Sequence, residues 1–370
     1  MSQRPNILFV KLCCIGDILF LTPAIRSVRQ RFPEARITIL ASTWIKAVVE
    51  RIPSVDEVIY FDAPLQKIFI WDRFIATVRV TKELRRRRFT AAVTAHRSSF
   101  FSVLLAAAGI RRRIGFRGAA MLTDAVPFDD TKHETARYLE LTARLTGTSD
   151  PGIMELKATE IDLEFREQFF RSGKIGSAVR YIGIFPGGGD NPGTKMHIKR
   201  WPGERYAELV RRLYTDAGLV PVFIGSAPDA AVVDPIIAAV EGSVPYLNAV
   251  SVPDLGQLHG LLTGCIVMLG GDSGPMHMAA ALGIPTVTIF GPSDPRLVAP
   301  LGSSHRYIWK QVPCSPCYTP ATVKQKKYFN GNEFICTTGT HACIKEVTVD
   351  EVYRTIMEVL PVHRSQSEGL

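Results

Sequence analysis

Short apolar runs recur along the chain, each followed by a longer stretch with hydrophobic residues at helical spacing. In the first half the runs are NILFVKL (6–12), RITILA (36–41), EVIYF (57–61), TAAVTAH (90–96) and RRIGF (112–116). They are mostly apolar, as strands buried on both faces should be. Helices are predicted between them, near 18–32, 67–88 and 99–108. Near 133–147, Ala136, Leu139 and Ala143 share one helical face and Gly147 stops the helix. Such alternation predicts a parallel sheet covered on both faces.

A charged stretch, roughly 148–178, breaks the pattern and is expected to be an irregular interdomain connection. The alternation then restarts. RYIGIF runs as a strand into a Gly-rich turn, and GERYAELVRRLYTDAG is a helix with Tyr206, Leu209, Val210 and Leu213 on one face. VPVFIGS, CIVMLGG and PTVTIFG read as strands; DLGQLHGLLTG and PMHMAAALG read as helices. A last helix, TVDEVYRTIMEVL, opens with a Thr348/Glu351 capping box and carries a stripe of Val349, Val352, Ile356 and Val359. The prediction is therefore α/β: two doubly wound parallel-sheet domains, 1–165 and 176–346. A C-terminal helix, 347–361, is expected to pack back on the first domain. Ligands of such sheets bind beyond the carboxyl ends of the strands, so site residues are expected there, in a cleft between the domains.

The length of 370 residues agrees with two domains at ~100–200 residues each. Hydrophobic residues at 46% suffice for ordinary cores, and only the tail HRSQSEGL reads as disordered. Lys and Arg outnumber Asp and Glu by 44 to 35, a net charge of +9 that favours an anionic partner. The basic residues cluster in ELRRRRF (83–89) and GIRRRIGFRG (109–118), which suits an anionic acceptor or a membrane surface. No nucleic-acid recognition motif accompanies them, so nucleic acid is not expected as a partner. The apolar run VLLAAAGI is far shorter than the ~20 residues a spanning helix needs. Lys11 and Asp17 interrupt any N-terminal signal-like run, so a cytoplasmic protein with reduced cysteines is expected.

Four junctions carry candidate chemistry. Gly16-Asp17 closes the first strand, where Gly16 suits a turn and Asp17 is either a helix cap or a general base. Thr22-Pro23 offers a rival helix start that would leave Asp17 in a loop. In GGDSGPMHMAAALGIP, Asp272, Ser273, Gly274 and His277 sit where a strand meets a helix N-terminus, a site suited to phosphate. The GDSGP string is not a serine-protease signature here, because it lies between a strand and a helix, and Pro275 also rules out a G-x-S-x-G elbow. In FPGGGDNPGTKMHIKRWP, glycines including Gly188 allow close approach, and Lys195, Lys199 and Arg200 can neutralise phosphate. It matches neither a Walker A loop nor G-x-G-x-x-G. His96-Arg97-Ser98-Ser99 follows the fourth strand. Separately, Cys314, Cys317, Cys336 and Cys343 are spaced C-x2-C-x18-C-x6-C. The first pair has zinc-like spacing and His341 is a substitute ligand, so a structural metal site competes with plain thiols or a disulfide.

Four stretches together resemble the bacterial heptosyltransferases of glycosyltransferase family 9, which build the inner core of lipopolysaccharide. They are ILFVKLCCIGDILFLTPAIRSVRQRFPEARITIL, RRRIGFRG with the later HETARYLEL, FPGGGDNPGTKMHIKRWP, and LGGDSGPMHMAAALGIPTVTIFGPSDP. They occur in the family's order and span most of the chain. The resemblance implies a GT-B fold of two Rossmann-like domains and transfer of heptose from ADP-heptose with inversion, with no cofactor or catalytic metal required. It assigns the base to Asp17 and donor binding to Lys199, Asp272, Ser273, Gly274 and His277, with Gly188, Gly225, Ser226 and Asp229 nearby. Gly16, His96, Arg97 and Arg113 fall to the acceptor side, which implies an anionic glycolipid and peripheral contact with the cytoplasmic face of the inner membrane. Thr94 departs from the acidic residue relatives often carry there, and the loop between Gly187 and Lys199 is long. A different sugar nucleotide or acceptor, an epimerase on a GT-B-like fold, and a basic binding protein with a dead site remain alternatives.

Overall fold

The computed structural model describes residues 4–63, 69–147, 152–173, 179–189, 193–251 and 254–360. The expected tail at 363–370, the start of the 67–88 helix, residue 361 of the last helix, residues 190–192 of the Gly-rich loop, and parts of the connection (148–151 and 174–178) lie outside the described residues. The chain divides into two compact units, residues 1–159 with 296–298, and residues 160–295 with 299–370.

The first unit runs β1 (Asn6–Val10), α1 (Ile15–Arg31), β2 (Arg36–Ala41), α2 (Lys46–Val49), β3 (Glu57–Tyr60), α3 (Ile70–Arg87), β4 (Ala91–Thr94), α4 (Ser99–Ala107), β5 (Arg112–Phe116), β6 (Asp124–Val126) and α5 (Glu134–Thr146). All six strands are parallel, in the order β3-β2-β1-β4-β5-β6. The apolar runs are buried from end to end, as in Leu8, Phe9 and Val10 of β1, so the sheet is covered on both faces. The order reverses beside β1, and the crevice at such a switch lies beyond the carboxyl ends of β1 and β4. Asp17 and His96 follow those two strands.

Helix α1 begins at Ile15 and contains Pro23, which removes Thr22-Pro23 as a helix start. A proline inside a helix leaves the carbonyl four residues earlier without its N–H. Here the Thr22 hydroxyl donates to that carbonyl, on Leu19, at 2.7 Å, and accepts from the Glu155 N–H at 3.0 Å. The left-handed residue of the β1–α1 turn is Cys14 (φ 71°) and not Gly16, which lies in the first helical turn.

The second unit runs α6 (Glu160–Ser172), β7 (Arg180–Phe185), α7 (Gly203–Ala217), β8 (Leu219–Gly225), α8 (Ala230–Val240), β9 (Leu247–Val250), α9 (Leu255–Thr263), β10 (Cys265–Gly271), α10 (Gly274–Ala281), β11 (Thr286–Phe290), β12 (His305–Trp309), β13 (Phe329–Asn330), β14 (Glu333–Phe334), α12 (Ala342–Lys345) and α13 (Val349–Val359), while the short α11 (Pro295–Val298), between β11 and β12 in the chain, has its residues 296–298 in the first unit. Its parallel sheet, β12-β11-β10-β7-β8-β9, repeats the order of the first and switches between β7 and β10. The stretch expected to be irregular thus holds α6, which packs on α9. The Asp162 carbonyl lies where a Cβ on residue 260 would sit, so Gly260 permits the close approach of the two helices. Helix α13, expected against the first domain, packs on α7, β11 and β12 through Val349, Val352 and Ile356.

Candidate functional site

In the first unit the site grows from the end of β1. Asp17 is the third residue of α1, and its carboxylate takes no part in capping; Cys14 is the N-cap and makes no side-chain cap bond. Instead Asp17 Oδ2 lies 2.7 Å from Lys11 Nζ, with Asp17 one-third exposed and Lys11 buried. Burial works against the Lys11 ammonium, but Asp17 and Tyr138 outweigh it and hold its pKa well above the usual lysine value. Tyr138, itself pushed up by burial, places its ring 5.5 Å from the ammonium. Lys11 is therefore a fixed buried charge with the catalytic candidate as its counter-ion.

His96 stands beside this pair as a neutral ring. Burial, then the Lys11 charge, lowers its pKa to about 3. Its Nε2 accepts the Leu12 N–H at 2.9 Å, and its ring stacks on Phe101, so it braces the β1 end. Glu134 opens α5 nearby; burial and then the Asp17 charge raise its pKa. Arg97 is exposed, with its guanidinium 4.5 Å from the Phe128 ring centroid. Arg113 is spent elsewhere, donating to the carbonyls of Met121, Ile110 and Arg111 at 2.5, 2.5 and 3.1 Å. Sequence reasoning passed over Lys11, Tyr138 and Glu134. The signals were present: a lysine inside a buried strand end, and HETARYLEL with acid and phenol on one helix face.

In the second unit the predicted donor residues gather at the carboxyl ends of β7, β8 and β10. Lys199 Nζ lies 2.6 Å from Asp272 Oδ2 and donates to the Asp272 carbonyl at 3.0 Å. His277 Nε2 meets the other carboxylate oxygen at 3.3 Å. Burial opposes the Asp272 charge, but Lys199 and His277 overcome it and hold the carboxyl well below the usual range. Ser273 is the N-cap of α10 without a side-chain cap bond, because its hydroxyl donates to the Gly271 carbonyl at 3.0 Å. The Ser273 hydroxyl thus caps no first-turn N–H group of α10, and the helix dipole points its positive end into the same place.

The Gly-rich turn is wedged against these groups. A Cβ at residue 188 would stand 2.4 Å from the Met196 carbonyl oxygen, and one at 189 would stand 2.9 Å from Ser273 Cβ. Gly225 similarly leaves room for Asp229, whose Oδ2 accepts from the Ser226 N–H (2.9 Å) and hydroxyl (2.7 Å). Arg200 approaches its Oδ1 at 3.7 Å. Asp229 therefore shapes the β8 end as a capping-box carboxylate.

The cysteine segment supports this site. Met196, Ile198 and Phe334 form a small core with Cys317, Tyr318, Tyr328, Phe329 and Cys336 around it. The Tyr318 ring lies 5.6 Å from Lys199 Nζ, a neighbour that sequence reasoning missed. Among the described residues no group of three or more His, Cys, Asp or Glu is arranged to hold a metal ion, the option that competed with plain thiols or a disulfide. Cys343 belongs to the main core of the unit and Cys317 and Cys336 pack on the small one, with Cys314, Cys317, Cys336 and Cys343 close enough to act on one another electrostatically. Burial, then the neighbouring thiols, pushes Cys317 and Cys343 up to about 11. Among the described residues, no helix is long and apolar enough to cross a membrane.

The chain is 29% identical to lipopolysaccharide heptosyltransferase 2 of Escherichia coli K12, over 82% of this chain and 87% of that one. Among solved structures it is similar to E. coli ADP-heptose lps heptosyltransferase II (TM-score 0.72, 24% identity, 96% of this chain and 98% of that one). It is also similar to the E. coli heptosyltransferase WaaC with ADP-2-deoxy-2-fluoro heptose (TM-score 0.67, 18% identity, 95% and 99%). The profile of glycosyltransferase family 9 (heptosyltransferase) matches residues 77–328, more than half of the chain. With the paired six-stranded sheets of a GT-B fold, that match makes this chain a member of glycosyltransferase family 9.

Proposed function

We propose that the protein transfers heptose from ADP-heptose to an anionic glycolipid acceptor of the lipopolysaccharide inner-core type, with inversion at the anomeric carbon. The observation that carries this reading is a carboxylate, Asp17, one-third exposed at the switch point of the first sheet and held by Lys11 rather than by its own helix. The names of the relatives supply the sugar and the nucleotide.

Asp17 accepts the proton of the acceptor hydroxyl as its oxygen bonds to the anomeric carbon. The bond from that carbon to the diphosphate breaks, and the electron pair leaves with ADP. Lys199, positioned by Asp272, and the uncapped start of α10 balance the charge growing on the diphosphate. Lys11 stays protonated throughout, orienting the Asp17 carboxylate and balancing the charge around it. Arg97, rather than Arg113, meets acceptor phosphate or carboxylate. Gly16 keeps the first turn of α1 free of a side chain beside Asp17. In this reading no metal or cofactor takes part, and the protein works in the cytoplasm.

Nucleotide release tests it. ADP-heptose, a UDP-sugar and a GDP-sugar are each supplied with and without a truncated lipopolysaccharide acceptor. Acceptor-dependent ADP release is expected from ADP-heptose alone. Release from another donor replaces the substrate, and donor turnover without acceptor replaces the reaction.

A further inference from the structure

One apolar surface of the first unit is left unused by the proposed reaction. At the start of α3, Phe69 is 83% exposed, Trp71 73%, Phe74 60% and Ile75 53%. At ~150–250 Å² for each large side chain these residues and Ile70 expose on the order of 700 Å², above the ~300–600 Å² of the largest patch on a typical monomer. The Trp71 and Phe74 rings pack edge to face at 6.4 Å, so they form one surface.

The helix explains why they point outward. Val80 and Leu84 are buried, with Ala76 packed beside them, and fix the inner face of α3. At about 100° per residue, Trp71, Phe74, Ile75 and Val78 fall on the opposite face. Continuing along that face, the next turns carry Arg79, Lys82 and Arg86, all exposed. Among the described residues these three make no ion pair. The nearby acid Glu83 is taken by Arg87 at 2.9 Å. One helix face thus joins an aromatic-aliphatic end to a cationic end.

We propose that this face docks the protein on an anionic lipid bilayer, with the Trp71 and Phe74 rings entering the boundary between headgroups and acyl chains. Aromatic and aliphatic side chains ahead of lysine and arginine suit that boundary, where apolar burial and attraction to anionic headgroups act together. A second copy of the chain fits less well. A self-complementary pairing would set Arg79, Lys82 and Arg86 against like charges or against the apolar end. The inference deepens the proposed function, since a bilayer presents a glycolipid acceptor.

Cosedimentation of the full chain with vesicles tests it without donor or acceptor, so the result stands whatever sugar is transferred. Vesicles of phosphatidylcholine are compared with vesicles that also contain phosphatidylglycerol. Binding is expected to the anionic vesicles and to weaken with salt. The double variant Trp71→Ser/Phe74→Ser is expected to bind about 10-fold or more weakly. Lys82→Glu/Arg86→Glu is expected to bind at least about 25-fold more weakly, at about fivefold per basic residue. Both variants should retain wild-type turnover of an acceptor lacking acyl chains, which shows that they fold. Absence of vesicle binding, or binding unchanged in both variants, overturns the proposal. Self-association without lipid that the Trp71→Ser/Phe74→Ser variant abolishes, with no vesicle binding, assigns the face to a second copy and also overturns it.

Discussion

Replacing Lys199 by methionine separates two roles of one side chain. Lys199 and Asp272 are nearly enclosed, at 11% and 9% side-chain exposure, and their charged atoms lie 2.6 Å apart. Removing the ammonium keeps the volume and leaves the carboxylate buried with His277 alone. Breaking a buried pair from one side costs ~3–5 kcal/mol, and the His277 contact at 3.3 Å places this case toward the lower end. For a unit of this size that loss lowers Tm by roughly 6–20 °C. The assay is urea or thermal unfolding followed by amide exchange in β7 and β10, so that the second unit is read by itself. The double variant Lys199→Met/Asp272→Asn removes both charges and should recover most of the stability. Donor affinity, measured by calorimetry, should stay lost in both. A Lys199→Met protein within 1 kcal/mol of wild type would refute the buried-pair reasoning. A double variant that binds donor normally would refute the role of Lys199 toward the diphosphate.

The pH dependence of the same pair has a definite sign. The folded Asp272 carboxyl is held low, so the stability it confers is complete above about pH 4, the unfolded value. Below that the unfolded chain binds a proton that folded Asp272 does not, and the contribution shrinks by up to about 1.4 kcal/mol per pH unit. The stability gap between wild type and Asp272→Asn should therefore narrow from pH 4 to pH 2, as read by urea midpoints; a constant gap contradicts it. Gly188→Ala should destabilise the second unit by ~1–3 kcal/mol and weaken donor binding, because its Cβ would meet a backbone carbonyl at 2.4 Å; an unchanged melt refutes the crowding. Cys13 should be the more reactive of the two adjacent thiols: the hydrogen bond from Cys14, and then Lys11, lowers it to about 7 against burial, while Cys14 is raised. Cys265, buried and raised to about 12, should stay unlabelled in the folded protein. Mass-spectrometric mapping of iodoacetamide adducts checks both, and labelling of Cys14 ahead of Cys13 would overturn the assignment.

Most strands of both sheets were legible from apolar runs, because strands buried on two faces carry few polar interruptions. Elements without that signature were missed. β6 has three residues, β9 alternates between buried and exposed positions, and the otherwise apolar α8 is interrupted by Asp234-Pro235. Proline also made Thr22-Pro23 look like a helix start, since a hydroxyl that rescues the Leu19 carbonyl shows only in three dimensions. At the sites, glycines and acids at strand ends identified Asp17, Asp272 and Gly188 by position. Their partners were not readable. Lys11 and Asp17 are six residues apart, Lys199 and Asp272 are joined by a fold that brings β7 beside β10, and Tyr318 arrives from a segment read only for its cysteine spacing. The α3 surface was hidden for another reason: arginine runs drew attention to its C-terminal end, while exposure of its aromatic start is a property of packing.

The central claim, that Asp17 is the base, is tested most directly by kcat of Asp17→Asn with ADP-heptose and acceptor both saturating, alongside donor affinity. Because Asn leaves Lys11 buried without its counter-ion, Lys11→Met/Asp17→Asn is measured beside it to separate folding from chemistry. The account predicts that kcat falls ~10²–10⁴-fold in both variants, with donor affinity close to wild type. A kcat within a few-fold of wild type in either folded variant would contradict it.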